Sequence, residues 1–365
     1  MATADDGTRD SQNTRDTRGE DTPNTSFLGE VKDAISARAA LLMIGVLALT
    51  ALFIASYAGA FHSPKPKDVP LAVVAPQQMG GQLVERLDKL PGSPLDPRTA
   101  SSEADAARQI KERDIDGALV VDPRGTTDKL LVASGSGASL SQAVEQVVTQ
   151  AEKAQKRTVQ VQDIAPADQD DTRGLSSFYL VVGWCVGGYL CAAILAISFG
   201  ARPANLKRAT VRLGALAIYS VFTGLAGAVV IGPVLGAMPG SLFGLWGLGA
   251  LIVFAVGATT FAFQAVAGII GIGLTILVVV IAGNPSAGGA YPYPLLPAFW
   301  RAIGPALPPG AGTWVARSIA YFHGNAVTGP LLVLSAWAVA GAVLTLVFAA
   351  LTKGRTVINR SEVRQ

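Results

Sequence analysis

The chain has 365 residues, half of them hydrophobic and 40 of them glycine, with a formal charge of only +3 at pH 7. Its charges are unevenly spread: only Arg301 and Arg317 lie between Arg212 and Lys353, and no Asp or Glu lies between Asp171 and Glu362. Such a stretch has too little charge to solvate the surface of a water-soluble domain, and it lacks the intramembrane carboxylates that proton- or cation-coupled carriers use.

Residues 1–26 are polar, with almost no apolar side chains, and read as a disordered cytoplasmic tail. Phe27, Leu28, Val31 and Ile35 follow at near-helical spacing and predict an amphipathic helix on the membrane surface. A first span is predicted from Ala39 to Phe61, closing a segment over 27–61. Ala58-Gly59-Ala60 resembles a signal cleavage site, but the apolar run exceeds a signal core and no short basic segment precedes it, so the span reads as an uncleaved anchor.

Composition turns soluble over 62–176, which predicts an extracytoplasmic α/β domain. Strands are expected at Val69–Ala75, Gly117–Asp122, Lys129–Ser134 and Val159–Ile164, with the second and third paired through the Pro123–Asp128 turn. Helices are expected at Gly80–Leu90, at Ser102–Asp114 and from Ser139 onward, the last opened by a Ser139/Gln142 capping box. At this length the domain is expected to have a core of its own and to fold alone over 66–170.

Five further spans are predicted near Phe178–Phe199, Leu213–Gly236, Leu242–Phe263, Ala265–Ala282 and Leu331–Leu351, within a membrane domain over 177–353. The fold class is therefore an α-helical integral membrane protein with six transmembrane helices and an extracytoplasmic α/β domain between spans one and two. Arg202, Lys207, Arg208 and Arg212 crowd the connection after the second span, and Lys353, Arg355 and Arg360 follow the last. With six spans both basic segments share a side, and the excess of Lys and Arg makes it cytoplasmic. Both termini, including a tail over 354–365, then lie inside a multi-pass protein of the cell membrane.

Motifs that would signal an enzyme are missing. There is no P-loop, no His-Glu-x-x-His, no Cys-x-x-Cys and no Gly-x-Ser-x-Gly, and Asp122-Pro-Arg-Gly125 reads as a turn. Cys185 and Cys191 fall on different faces of one apolar helix and read as small buried hydrophobes. No enzymatic activity, cofactor or metal is expected, and without a clustered basic face no nucleic-acid partner is expected either.

The segment 284–328 is apolar yet broken by proline, and predicts short re-entrant helices instead of a straight span. It runs through Asn284, Pro285, Gly288, Gly289, Pro297, Trp300, Arg301, Pro305, Pro308, Trp314 and Arg317. Trp300, Trp314, Arg301 and Arg317 are expected to serve as interfacial anchors. Its Asn-Pro-Ser-x-Gly-Gly-x-x-Pro run and the Leu-Leu-Pro-x-Phe-aromatic stretch after it resemble the membrane subunits of type 2 ABC exporters. Among these it looks like the Pip/YhgE-like and nitrosoguanidine-resistance-like membrane proteins, and Ala118–Pro123 resembles a strand of their external domains. The resemblance covers roughly 27–353. It implies a homodimeric export permease working by alternating access with a separate ATPase subunit docked on Ala201–Val211. The uncharged spans point to a lipid-like or amphipathic cargo. The competing reading is a non-transporting membrane protein whose external domain binds a partner, such as a phage component or a secretion apparatus.

Overall fold

The computed structural model describes residues 36–203 and 205–362; the tail over 1–26 and the amphipathic run Phe27–Ile35 lie outside the described residues. The first long apolar helix, α1 (Ala37–Phe61), feeds directly into a domain built on a five-stranded sheet.

Within that domain the order is β1 (Val69–Val74), α2 (Gln77–Asp88), β2 (Leu95–Thr99), α3 (Glu103–Glu112), β3 (Gly117–Val120), β4 (Thr127–Val132), α4 (Ala138–Lys153) and β5 (Thr158–Asp163). The strands lie in the order β2-β1-β3-β4-β5, with β3/β4 antiparallel and the other pairs parallel. Alternation along the pleat divides the core. Val69, Leu71 and Val73 face α2 and α4 through Leu83, Leu87, Val144 and Val148, while Ala72 and Ala118 face α3 through Ala106 and Ile110. The expected strands and helices are present within a few residues, and β3 and β4 pair as expected.

Two features of the domain depart from the expectation. The capping box does not form: α4 starts at Ala138 behind Gly137, with no side-chain cap. Ser139 is already inside the helix, and its hydroxyl donates to the Ala290 carbonyl at 3.0 Å. The strand β2 was not anticipated. Its Pro97 offers no donor to a ladder, which hides it from a propensity reading, and it is tolerated because β2 is the sheet edge.

After the domain come α5 (Ser176–Phe199), α6 (Leu206–Val229, continuing as a π-helix over Val230–Val234) and α7 (Leu242–Ala267). Then follow a shorter apolar helix, α8 (Ile270–Thr275, continuing as a π-helix to Gly283), two non-spanning helices, α9 (Ala298–Ile303) and α10 (Pro308–Tyr321), and α11 (Thr328–Glu362). Five of these helices, α1, α5, α6, α7 and α11, are long and apolar enough to cross a membrane, and they make the chain a multi-pass membrane protein. α8 reaches at most about 21 Å at 1.5 Å per residue, short of a hydrocarbon core of about 30 Å. The boundary expected near Gln264 falls later, because α7 runs on to Ala267 and turns at Gly268, whose φ is +62°. Gly271 then passes so close to the Phe263–Gln264 backbone that no side chain fits there. α11 carries Lys353, Arg355 and Arg360 on a helical backbone where a tail over 354–365 was expected.

α7 is the axis of the bundle, and small residues let its neighbours reach it. A Cβ on Gly224 of α6 would meet the Ala250 amide at 2.5 Å, one on Gly188 of α5 the Val253 carbonyl at 2.6 Å, and one on Gly341 of α11 the Thr259 amide at 2.5 Å. Cys185 is buried and Cys191 half-buried, both unpaired, on different faces of α5.

Candidate functional site

The α/β domain does not close its own core. Leu295 joins the face formed by α2 and α4, and Phe322, fully buried at the end of α10, completes the other face beside Ile110, Ile115 and Leu131. Polar contacts follow the same path: the Lys67 amide donates to Pro294 O, Asn325 to Lys111 O and Arg301 to Lys67 O. Asp171 caps α5 by accepting from the amides of Leu175 and Ser176, and it also accepts from the Tyr321 hydroxyl at 3.2 Å.

Between the domain and α10 lies a cavity of about 270 Å³ that includes Arg113, Asp116, Tyr293, Trp314 and Arg317 in its lining. Arg113 ends α3 in the left-handed region, with φ of +64°, and this turn sends its side chain away from the helix toward α10. The guanidinium lies 3.5 Å from the centre of the Trp314 ring, and Nη1 donates to Trp314 O at 2.9 Å and to Ser318 Oγ at 2.7 Å. Enclosure by protein pushes Arg113 down to about 9, still charged at neutral pH, and the nearby charge of Arg317 acts in the same direction. Asp116 is pushed up to about 6 by desolvation, against the opposing pull of Arg113.

Arg317 is 3% exposed and is no interfacial anchor as expected from sequence. It gathers carbonyls: Nη1 donates to Gly288 O at 2.6 Å, and Nη2 to Gly289 O at 2.7 Å and to Gly174 O at 3.0 Å. Among the described residues its Nε has no partner, nor has the Tyr293 hydroxyl, although both atoms are buried. The glycine carbonyls of the Asn284–Gly289 run are thus satisfied by one side chain 28–29 residues downstream.

The other re-entrant residues take separate places. Asn284 and Pro285 follow α8, Pro297 caps α9, Pro305 lies in a 3-10 turn after it, and Pro308 begins α10. Trp300 and Arg301 sit on α9, half-buried, with Arg301 3.7 Å from Asp68; Trp314 donates from Nε1 to Ala326 O. Arg113, Tyr293 and Phe322 were not singled out in the sequence. Arg113 carries no signal, because a non-glycine residue in the left-handed region cannot be told from any other helix-ending arginine.

The four basic residues after α5 do not form one loop. Lys207, Arg208 and Arg212 lie on α6, which starts earlier than expected because Asn205 caps it by accepting from the Arg208 amide. Arg212 is buried and donates to Phe199 O and Gly200 O, closing the C-terminus of α5. Arg202 donates to Val266 O near the end of α7. Lys207 and Arg208 are exposed and make no ion pair among the described residues. Compared with family models, curated proteins and solved structures, the chain finds no match.

Proposed function

We propose that the chain is the membrane permease subunit of an exporter, of the type 2 ABC kind it resembles, moving a lipid-like or amphipathic compound by alternating access with a separate ATPase. The observation that carries this reading is the order of elements. A long apolar helix leads into an α/β domain, a bundle follows, and a short apolar helix with two non-spanning helices precedes the last long one. That order is the plan the resemblance implies, including the re-entrant segment before the last span.

A sixth pass is counted only if α8, shorter than a hydrocarbon core, crosses together with the residues that flank it, and the contacts at its two ends favour that count. Its start lies beside the turn at Gly268, where Arg202 approaches from the α5–α6 connection. Its far end meets α1, where the Ser56 hydroxyl donates to the Ile281 carbonyl close to the point where α1 enters the α/β domain. Counted this way the domain lies outside, and the basic residues and both termini lie on the cytoplasmic side of the cell membrane. In a chain with Cys185 and Cys191 replaced by Ala, Gln155→Cys is expected to react with an impermeant thiol reagent on intact cells, and Lys207→Cys only after lysis. Labelling in the opposite sense would remove the six-pass reading.

Docking of the ATPase narrows to Lys207 and Arg208, since Arg202 and Arg212 are occupied in closing helix ends. The chain is expected to work as a homodimer, two copies flanking the transport path. The double variant Lys207→Glu/Arg208→Glu reverses the charge at that surface, and like charges across an interface cost several kcal/mol. It is expected to insert normally, to lose an ATPase captured with the wild-type chain from native membranes, and to stop export; the Gln/Gln variant falls between. An inserted Glu/Glu variant that keeps both partner and export refutes the docking role.

A further inference from the structure

Three arginines line the cavity between the α/β domain and α10, and two of them, Arg113 and Arg317, make no ion pair among the described residues. Of the acidic groups in its lining, Asp68 is paired with Lys67 at 3.1 Å and faces Arg301 at 3.7 Å, and Asp114 is exposed. Asp116 faces Arg113, and Asp171, which accepts from the Tyr321 hydroxyl, acts on Arg317 from outside the cavity lining, so the wall of the cavity itself presents guanidinium groups. Two buried donors there have no partner among the described residues: Nε of Arg317 and the hydroxyl of Tyr293. Buried donors of this kind are costly when left unmade, and a guanidinium N–H, a neighbouring hydroxyl and the positive charge of Arg113 together suit an oxyanion.

A second cavity, of about 480 Å³, shares Tyr293 and Trp314 with the first. These two rings are stacked with centroids 6.1 Å apart. The rest of its lining is almost wholly apolar, with Pro305, Ala311, Gly329 and Pro330, and it lies at the start of α11, one of the long apolar helices. A charged pocket and an apolar groove therefore meet at one aromatic pair.

We propose that this pair of cavities binds an anionic amphiphile, its carboxylate or phosphate oxyanion held between Arg113, Arg317 and Tyr293 and its apolar chain lying over Trp314 in the groove beside α11. The site names the class of cargo for the export reading and rests on that reading only for what happens to the ligand afterwards. Binding requires no ATPase and is measured without one.

The full chain is reconstituted in nanodiscs of phosphatidylcholine and exposed to a photoactivatable oleate, and the labelled peptides are mapped. Labelling is expected in the 293–330 region, displaced by oleate but not by equal concentrations of oleyl alcohol, acetate or inorganic phosphate. Arg113→Gln should weaken it about tenfold or more, the scale of one lost charged hydrogen bond, and Tyr293→Phe by a smaller factor. Gly329→Phe tests the chain separately. Gly329 lines the groove and a Cβ there meets nothing within 4 Å, so the substitution places bulk at the groove wall and is expected to reduce labelling as strongly as Arg113→Gln. Because Arg317 also holds three carbonyls, it is left intact, and each variant is checked for an unchanged unfolding temperature.

Equal displacement by oleyl alcohol would overturn the oxyanion, and equal displacement by acetate or phosphate would overturn the amphiphile in favour of a free anion. Labelling that ignores both Arg113→Gln and Gly329→Phe in folded protein would overturn the site altogether. None of these results bears on capture of an ATPase through Lys207 and Arg208, so the two readings fail independently.

Discussion

Phe322→Ala is expected to destabilise the α/β domain by about 3–5 kcal/mol, the range for removing a fully buried aromatic ring from a core. The ring is fully buried, shares a cluster with Ala106, Ile110, Ile115 and Leu131, and lies 4.9 Å from the Arg113 guanidinium. Its loss opens a cavity under the sheet and removes one wall of the arginine's enclosure. Hydrogen exchange on the full chain should show faster opening of β3 and β4, while Phe299→Ala, at an exposed site on α9, should leave them unchanged. The same geometry revises the expectation that 66–170 folds alone. That fragment lacks both Leu295 and Phe322, and is expected to be less stable than the same strands in the intact chain. Equal exchange protection in fragment and full chain would show that α10 merely rests on the domain.

Gly224→Leu and Gly341→Leu are expected to prevent α6 and α11 from seating on α7. A leucine in an overpacked core costs about 1–3 kcal/mol when side chains can yield. Here the colliding atoms are backbone amides of α7, which cannot yield without moving the helix. Little folded protein should be recovered from membranes, with a lowered unfolding temperature in what remains. Gly214→Leu supplies the control on α6, since a Cβ there meets nothing within 4 Å. If all three variants behaved alike, close packing through glycine would not be what holds the bundle together.

Much of the architecture was legible from the chain itself. Five long apolar helices and the α/β domain between the first and second of them follow from hydropathy, charge and the switch from period 3.6 to period 2, which are local properties of sequence. Strands such as β1 and β3 announce themselves because burial on both faces demands continuous apolar runs. The edge strand β2 does not, since Pro97 is allowed only by a place in the sheet that no local pattern reveals. Ser139 misled for the same reason. Its spacing from Gln142 suits a cap, but the Ala290 carbonyl, distant in sequence, takes its hydroxyl.

The site was decided by tertiary structure alone. In sequence Arg317 is one of two lone charges in an apolar stretch, and its density of aromatic neighbours points to a membrane interface. In the fold it is buried, because the carbonyls of Gly174, Gly288 and Gly289 converge on it from two segments and replace the water it would otherwise need. Arg113 reaches the same place from the α/β domain through a left-handed turn that its own sequence does not mark. Composition alone determined that this chain lives in lipid, since only lipid solvates long stretches almost free of charge. Where its few buried charges meet, and what they can hold, depended on contacts such as the Arg113–Ser318 hydrogen bond, 205 residues apart, which no spacing along the chain encodes.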